Sequence, residues 1–451
     1  MIPLSSEALA KIVGGLHHGE QVEVTGNGFF DTRKPETGGI FFAFKGENTD
    51  GHLFLQEAKN SGAAVAIVEE INEELEFTQI KVANVNAALN AIAIHVRASL
   101  PNLTVIGITG SQGKTTVKDM LGQVLSEFGP TISPIGSFNN DLGVPITILR
   151  CTSQTKYLVL EMGARHRGEI RKLASISNLN VAIVLCVGQA HLGEFGSVQQ
   201  IFETKREIVE CTPKSGDVIL GTYDQLTPTM AGATGARVLT FGPEGIIRAR
   251  FISISEGAAS IEYRGKQGTL GFLGKHQIAN AEAVLATIEV LDLDEKRGFE
   301  ALISAKPQSR WRMEKILLES GVTLLCDFYN ANPESMASAV LSLSHFAEGS
   351  ETWAVLGEMR ELGEASLASH QMIGRLVFEQ KIDHLVGVGS YGKVMVEAAQ
   401  ELGHPSAHWW ETKVEAADYV KHHLSRECCV LLKASRGEKF EEIAKVLGVE
   451  V

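Results

Sequence analysis

The segment 105–128 constrains the fold of this chain more than any other part of its sequence. An apolar run leads into Gly-Ser-Gln-Gly-Lys-Thr-Thr at 110–116, and apolar residues at a 3.6-residue spacing follow. This order indicates a buried strand, a glycine turn and a core-packed helix. Glycines let such a turn point its backbone N–H groups and the helix N-terminus at phosphate oxygens. The segment therefore predicts a phosphate-binding loop.

The loop is a compact variant of the usual nucleotide pattern. That pattern places a glycine five residues before Gly113, where this chain has Ile108, so we interpret Gly110 as the start of the turn. Lys114 supplies a mobile positive charge, and Thr115 can offer a hydroxyl to magnesium. The candidate nucleotide-binding residues of the loop are Gly110, Ser111, Gln112, Gly113, Lys114, Thr115 and Thr116.

Further candidates lie beyond the loop. Glu161 closes the apolar run Tyr-Leu-Val-Leu, and His191 lies four residues beyond the run 181–187. In doubly wound sheets ligands bind outside the carboxyl ends of the strands, and a carboxylate with an imidazole suits a hard cation beside phosphate oxygens. Either residue alone is more typical of a solvated or structural side chain. Lys205 follows a predicted helix start at Ser197, and by spacing alone it is an ordinary solvated charge.

The rest of the sequence indicates an α/β protein. With 451 residues the chain is long enough for about three domains. From residue 103 strands and amphipathic helices alternate, as they do around a parallel sheet, and a second such run begins near residue 312. We predict a small α/β amino-terminal domain (1–100), a central P-loop-type domain with a parallel sheet (101–308) and a Rossmann-like carboxyl-terminal domain (309–451).

Composition excludes several classes of function. The net charge of -13 argues against broad binding to nucleic acid or to anionic membranes. The first residues lack the pattern of a secretory signal, and the longest apolar run, Val181 to Val187, is far shorter than the about 20 residues that span a bilayer. The six cysteines have no metal-binding spacing and are interpreted as thiols. We expect a cytoplasmic monomer that binds no nucleic acid and does not enter the membrane.

A second glycine motif offers an alternative nucleotide site. Gly387-Val-Gly389-Ser-Tyr-Gly392 follows a predicted strand and fits the dinucleotide fingerprint, with Glu411 about twenty residues further on. Because the loop at 110–116 is the better nucleotide site, we interpret this motif as a tight turn in a Rossmann-like domain.

Taken together and in this order, the motifs resemble those of the Mur ligases, the ATP-dependent amide-forming enzymes of peptidoglycan assembly. The segment 31–52 looks like the UDP-sugar-binding domain of that family, and the stretches 139–145 and 161–164 resemble its dipeptide-adding members. The resemblance implies UDP-sugar-binding roles for Asp31, Thr32, Arg33, Lys45, Asp50 and His52.

The same resemblance covers the remainder of the chain. The segment 274–281 is similar to the adenine-contacting stretch of the family, with Gln277 where asparagine is usual, and Phe328 stands where serine is usual. The resemblance implies nucleotide contacts for Asn139, His276, Asn280, Arg312 and Asp327. It implies peptide-substrate contacts for Asn140, Tyr329, Asn330, Lys433, Ser435 and Arg436.

By resemblance, Lys205 matches a lysine that the family carbamylates with carbon dioxide, which turns a cation into an anion. The resemblance implies two Mg²⁺ ions, one held by Thr115 and Glu161 and the other by His191 and carbamylated Lys205. The expected catalytic residues are Lys114, Glu161, His191 and Lys205.

The implied reaction joins a carboxylate to an amine. ATP would phosphorylate the terminal carboxylate of a UDP-N-acetylmuramoyl tripeptide, and the amine of D-alanyl-D-alanine would attack the acyl phosphate. Two alternatives stay open. One is a sister ligase of the same chemistry that adds the third residue of the peptide, or glutamates to another acid. The Asp-Asn-Pro-Arg motif expected of the preceding pathway enzyme is absent from the sequence. The other is a nucleotide-regulated binding protein without ligase turnover.

Overall fold

The α/β class expected from the sequence is confirmed by a computed structural model, which describes residues 1–46, 49–134, 136–189, 192–346 and 349–450. Within these residues, no sheet joins strands from both sides of residue 100 or of residue 308. The two domain boundaries themselves stay predictions. None of the described helices combines the length and the apolar character needed to cross a membrane.

The amino-terminal part is built on a five-stranded sheet in the order β2-β7-β6-β5-β4, parallel except for the β2–β7 pair. Its longest helix begins after Asn84, whose side chain caps the backbone N–H of Ala87. The strands are β1 (Leu4–Ser5), β2 (Leu16–His18), β3 (Glu23–Val24), β4 (Gly28–Phe29), β5 (Ile40–Phe42), β6 (Val65–Val68) and β7 (Gln79–Lys81). The helices are α1 (Ser6–Val13), α2 (Leu55–Asn60) and α3 (Val85–Ala98), with a 3-10 turn at Gly51–Phe54.

The central part contains a six-stranded, fully parallel sheet in the order β13-β12-β11-β8-β10-β9, and an antiparallel sheet of β14, β15 and β16. The strands are β8 (Thr104–Thr109), β9 (Thr131–Ile132), β10 (Tyr157–Glu161), β11 (Val181–Val184), β12 (Asp217–Gly221), β13 (Arg237–Phe241), β14 (Arg250–Ser255), β15 (Ala258–Tyr263) and β16 (Lys266–Leu273). The helices are α4 (Lys114–Ser126), α5 (Gly143–Leu149), α6 (Glu169–Ser177), α7 (Leu192–Phe195), α8 (Val198–Glu210), α9 (Gln277–Val290) and α10 (Glu295–Ser304), with a 3-10 turn at Thr227–Ala233.

The position of β8 between β10 and β11 places the candidate site. The three strands are parallel and almost wholly buried, so their carboxyl ends meet at one edge of the sheet. The phosphate loop leaves β8 at this edge, directly beside Glu161 at the end of β10. Two motifs that lie far apart in the sequence therefore become neighbours.

The carboxyl-terminal part has a second six-stranded sheet in the order β17-β18-β22-β19-β20-β21, parallel except for the β17–β18 pair. The strands are β17 (Glu314–Leu317), β18 (Thr323–Cys326), β19 (Thr352–Leu356), β20 (His384–Val388), β21 (Ala407–Trp410) and β22 (Cys429–Lys433). The helices are α11 (Pro333–Phe346), α12 (Ser366–Glu379), α13 (Gly389–Glu401), α14 (Lys413–His423) and α15 (Glu441–Val446), with 3-10 turns at Gly363–Ala365 and Arg436–Glu438.

The glycines of the motif at 387–392 allow strand β20 and helix α13 to pack closely together. Strand β20 ends at Val388, and α13 begins at the next residue. A Cβ atom at Gly387 would lie 2.2 Å from the carbonyl oxygen of Gly392, so only glycine permits this close approach. This agrees with a tight strand-to-helix turn.

The linker between α10 and β17 is fixed to α4, the helix that follows the phosphate loop. Gln123 accepts a hydrogen bond from the backbone N–H of Lys306 and donates one to its carbonyl oxygen. The buried carboxylate of Asp119 accepts the backbone N–H of Ser309 at 3.0 Å. These contacts set the position from which Arg312 enters the cavity described next.

Candidate active site

A cavity of about 1000 Å³ lies between the central and carboxyl-terminal parts of the chain. It brings together residues that are more than 300 positions apart in the sequence. The sequence-predicted residues that line it are Ser111, Gln112, Gly113, Lys114, Thr115, Thr116, Asn139, Asn140, Glu161, Lys205, His276, Asn280, Arg312, Asp327, Tyr329, Asn330, Lys433, Ser435 and Arg436. Gly110 is not among the described residues that line the cavity, and His191 lies outside the described residues.

The phosphate loop has the compact geometry expected from its sequence. Gly113 immediately precedes α4 and has a φ of 81°, and a Cβ atom there would lie 2.4 Å from the side-chain oxygen of Asn280. Both facts require glycine. Lys114 donates to the carbonyl oxygen of Gly110 at 2.6 Å, which folds its side chain back over the loop. Burial lowers the pKa of Lys114 from its ordinary value.

Glu161 is a buried carboxylate surrounded by neutral donors. It accepts hydrogen bonds from the Thr115 hydroxyl at 2.7 Å, the Ser137 hydroxyl at 3.0 Å and the Asn139 amide at 2.8 Å. Burial raises the pKa of Glu161, but the charges of Arg312 and Lys114 and these hydrogen bonds outweigh it, so the net shift is downward. Glu161 is therefore an anion, and it has no ion-pair partner among the residues that the structure describes.

Ser137 is a member of this site that the sequence analysis missed. It also accepts a hydrogen bond from the side-chain amide of Asn139 at 2.9 Å, so the two residues hold Glu161 together. Its position two residues before Asn139 is the only signal in the sequence, and a serine in a loop is too common to be selected by it.

Lys205 lies on α8 and is only 7% exposed, in contrast to the solvated charge that spacing alone suggests. Burial, together with the nearby charge of Lys114, lowers the pKa of Lys205 to about 7. It forms no hydrogen bond or ion pair with any described residue. A buried cation beside another cation is unfavourable unless it is neutralised or modified.

A neutral hydrogen-bonded group lies at the start of α9. Burial lowers the pKa of His276 to about 4, so the ring is uncharged at neutral pH. Gln277 donates to His276 Nε2 at 3.0 Å and accepts from the Asn280 amide at 2.7 Å. The glutamine that departs from the family pattern thus orients both predicted adenine-contacting residues. Tyr223 also lines the cavity and donates to buried Glu282 at 2.6 Å, a contact that no sequence motif signals.

The opposite wall carries Arg312 and its neighbours. The Arg312 guanidinium carbon lies 4.4 Å from the centre of the Tyr329 ring, a favourable cation–π distance. Arg436 lies 4.5 Å above the ring of Trp311 and forms an ion pair with Glu441 at 2.8 Å. Both cations are held by aromatic rings.

Lys433 lines the cavity at the end of β22, and its contact with the peptide substrate stays a prediction. Its side chain is 1% exposed, and its ammonium group donates to Asp327 Oδ2 at 2.6 Å and to the carbonyl oxygen of Asn330 at 3.1 Å. Lys433 therefore supports Asp327 from inside the domain. Ser435 likewise accepts the backbone N–H of Arg360 at 2.9 Å.

The amino-terminal candidates lie outside this cavity, whose described lining begins at Ser111. Arg33 is 86% exposed and forms a two-pronged ion pair with Asp31, with both distances 2.8 Å. This partner lowers the pKa of Asp31 to about 2. Thr32 lies between them and is partly exposed.

The second amino-terminal group surrounds His52. The Nδ1 atom of His52 donates to Asp50 at 2.6 Å, and Nε2 accepts the backbone N–H of Glu69 at 3.0 Å. Both ring nitrogens of His52 are thus hydrogen-bonded, and they hold the turn at 50–52 against the end of β6. Lys45 forms an ion pair with Glu70 at 3.1 Å.

The site now defines a class of protein. A phosphate loop and a buried carboxylate on one α/β domain face an arginine and an aromatic ring on another, as an ATP-dependent ligase requires. The family models for the Mur ligase middle domain and for the "Mur ligase, glutamate ligase domain" match residues 108–288 and 311–436. The chain belongs to the Mur ligase family.

Particular members of the family resemble the chain over most of its length. A UDP-N-acetylmuramoyl-tripeptide–D-alanyl-D-alanine ligase from Mycobacterium bovis is 39% identical over 432 residues, which cover 86% of this chain and 84% of that protein. The crystal structure of MurF from Acinetobacter baumannii has a TM-score of 0.89 at 31% identity, covering 99% of this chain and 98% of that one. The MurF ligase from Thermotoga maritima, solved in complex with ADP, has a TM-score of 0.80 at 26% identity, covering 94% and 97%.

Proposed function

We propose that this chain is the ligase that adds D-alanyl-D-alanine to a UDP-N-acetylmuramoyl tripeptide with hydrolysis of ATP, a step of peptidoglycan precursor synthesis. The observation that carries the proposal is the cavity in which the phosphate loop and Glu161 face Arg312 and Tyr329. The full-length similarity to ligases of that name supports the choice of substrates.

The chemical task of the site is electrostatic. A carboxylate must approach the terminal phosphate of ATP, and both are anions. Lys114 and the N–H groups of the loop reduce this repulsion and stabilise the charge on the phosphate oxygens during transfer. The carboxylate oxygen bonds to the terminal phosphorus and ADP leaves, which gives the acyl phosphate. The amine of the dipeptide then attacks the acyl carbon, the C–N bond forms, and phosphate leaves as the amine loses a proton. Closure of the two domains that form the walls of the cavity would limit the water that hydrolyses the intermediate.

The residues beside the loop fit a magnesium ion. Mg²⁺ prefers hard oxygen donors, and the Thr115 hydroxyl and the Glu161 carboxylate are donors of this kind. The Glu161 carboxylate is buried and has no ion-pair partner among the described residues. When bound, the ion would neutralise phosphate charge. Thr115 and Glu161 would hold one ion, and carbamylated Lys205 together with His191 would hold a second. The burial of Lys205 without a described partner supports its conversion to an anion.

We assign the UDP group to the amino-terminal domain, where Arg33 is the most exposed of the predicted cations. Arg33→Ala should raise the KM for UDP-tripeptide about tenfold, because a charge-assisted hydrogen bond to the pyrophosphate is lost. The KM for ATP should stay within about twofold, since Arg33 does not line the ATP cavity.

Steady-state kinetics with each substrate varied in turn measures both constants. Lys34→Ala, which removes an exposed neighbouring charge, is the matched control and should behave as the wild type. Equal effects of Arg33→Ala on both KM values would place the UDP site elsewhere.

The proposed reaction requires both substrates at once. Phosphate should be released from ATP only when UDP-tripeptide and D-alanyl-D-alanine are both present. A colorimetric phosphate assay with each component omitted in turn tests this. If glutamate or another single amino acid replaces the dipeptide equally well, the sister-ligase alternative holds. No phosphate release with any acceptor would favour the nucleotide-regulated binding protein.

A further inference from the structure

We propose that Glu334 is a positioning residue that connects the carboxyl-terminal domain to the phosphate loop through the segment 187–189. Three consecutive backbone N–H groups of this segment donate to three different elements. Val187 donates to Asp224 at 2.9 Å, Gly188 donates to Ser111 Oγ at 2.8 Å, and Gln189 donates to Glu334 Oε1 at 2.8 Å.

Only the third of these acceptors comes from the carboxyl-terminal domain. Glu334 lies in the first turn of α11, where a carboxylate also complements the helix dipole. Its other oxygen, Oε2, is buried and has no hydrogen-bond partner among the described residues. The hydrogen bond from Gln189 is therefore the one hydrogen bond of the half-buried Glu334 side chain among the described residues, and its loss would leave both carboxylate oxygens without a donor.

The carboxylate of Glu334 packs closely against the backbone of Gly188. A Cβ atom at Gly188 would lie 2.9 Å from Glu334 Oε1 and 3.5 Å from the Cβ of Ser111. The absence of a side chain at this position therefore allows the carboxylate and the phosphate loop to approach one backbone segment from two sides. A second contact between the domains supports the same alignment, because Gly193 donates to the carbonyl oxygen of Glu361 at 2.8 Å.

These contacts connect the carboxyl-terminal domain to the phosphate loop through only two adjacent peptide groups. Ser111 belongs to the phosphate loop, and the peptide groups that bind Ser111 and Glu334 are adjacent in the chain. When the carboxyl-terminal domain moves away, the Gln189 amide loses its acceptor and the segment keeps two of its three side-chain attachments. Glu334 thus makes the geometry of the phosphate loop depend on the docked position of the other domain. The kinetic part of this inference rests on the proposed function.

The test compares Glu334→Ala with Glu334→Gln. The alanine variant should lower kcat about tenfold, because the acceptor of the Gln189 amide is lost. The KM for ATP should change less than about twofold, since the segment 187–189 keeps its hydrogen bonds to Ser111 and Asp224 and the loop keeps its N–H groups for the phosphates. Glutamine keeps a side-chain oxygen that can accept the same amide, so Glu334→Gln should retain at least about half of the wild-type kcat. Gly188→Ala should reproduce the alanine defect, because its methyl group displaces the carboxylate.

A second measurement does not depend on activity. Hydrogen exchange of the peptide that contains 187–189 should become faster in Glu334→Ala but not in Glu334→Gln. Glu401→Ala, an exposed glutamate on α13, is the control and should match the wild type in both assays. Wild-type kcat and wild-type exchange in Glu334→Ala would overturn the inference, as would equal defects in the alanine and glutamine variants. Failure of the wild type to turn over would instead count against the proposed function.

Discussion

Replacement of Lys114 by alanine is expected to abolish turnover, with kcat reduced by about 100- to 1000-fold. Lys114 is the only lysine or arginine of the phosphate loop, and its ammonium group is folded over the loop by the hydrogen bond to Gly110. Arg312 lies on the other wall, against Tyr329, and cannot replace it without moving. The energetic reason is the repulsion between the triphosphate and the substrate carboxylate, which this charge offsets during phosphoryl transfer.

Initial rates of phosphate release at saturating substrates measure the effect. Lys214→Ala removes an exposed lysine of the same domain and should leave the rate unchanged, which controls for net charge. If Lys114→Ala kept more than about a tenth of the wild-type activity, the loop would lose its assigned role in the transfer step.

Lys205→Ala is the second change with a large expected effect, and the variant should be nearly inactive. A bare ammonium group beside a second magnesium ion would repel it, so the proposed role requires carbamylation. Carbamylation needs a neutral amine, and burial with the charge of Lys114 supplies it by lowering the pKa of Lys205 to about 7. Added short carboxylic acids, such as acetate, should partly restore Lys205→Ala by replacing the carbamate.

Lys205→Arg is the matched variant, and it should remain inactive with or without acetate. Arginine keeps its charge and is not carbamylated under these conditions. Rates of phosphate release for the three proteins, with and without acetate, make the comparison. Normal turnover in Lys205→Arg would mean that Lys205 acts only as a positively charged side chain of α8 and that the second magnesium site is wrongly assigned.

The lowered pKa of Lys205 also predicts a dependence on pH. Below pH 7 the amine is mostly protonated and cannot react with carbon dioxide, whereas above pH 7 the neutral form predominates. Wild-type enzyme freed of carbon dioxide should therefore regain activity faster at pH 8 than at pH 6 when both samples receive the same concentration of dissolved carbon dioxide.

The parts of the fold that depend on local sequence could be predicted. The apolar run before Gly110 and the periodic residues after Lys114 specify β8 and α4. The place of Glu161 also followed from the sequence, because a parallel sheet brings the carboxyl ends of its strands to one edge.

The remaining parts of the site depend on contacts between distant segments. Lys433 and Asp327 are 106 residues apart, and only the pairing of β18 with β22 shows that they neutralise each other. Gln189 and Glu334 are 145 residues apart and meet only when two domains dock. Sequence periodicity carries no information on such docking, so these roles could not be predicted.

The environment of Lys205 could be predicted only in part. Its spacing from Ile201 and Ile208 places it on the buried face of α8, although a lysine on a helix usually faces solvent. Its actual environment is set by the cavity that closes between the domains, together with Lys114 from another element. Only the family resemblance suggested a special role for this residue.

The most direct test of the account is the mass of the product formed from ATP, UDP-N-acetylmuramoyl tripeptide and D-alanyl-D-alanine. The proposed reaction should give a single new species with the summed mass of the tripeptide substrate and the dipeptide less one water, formed in equal amount with ADP. Carboxylate oxygen labelled with ¹⁸O in the tripeptide should appear in the released phosphate, because the acyl phosphate passes that oxygen on. Formation of ADP without this product, or a product that carries a single amino acid instead of the dipeptide, would contradict it.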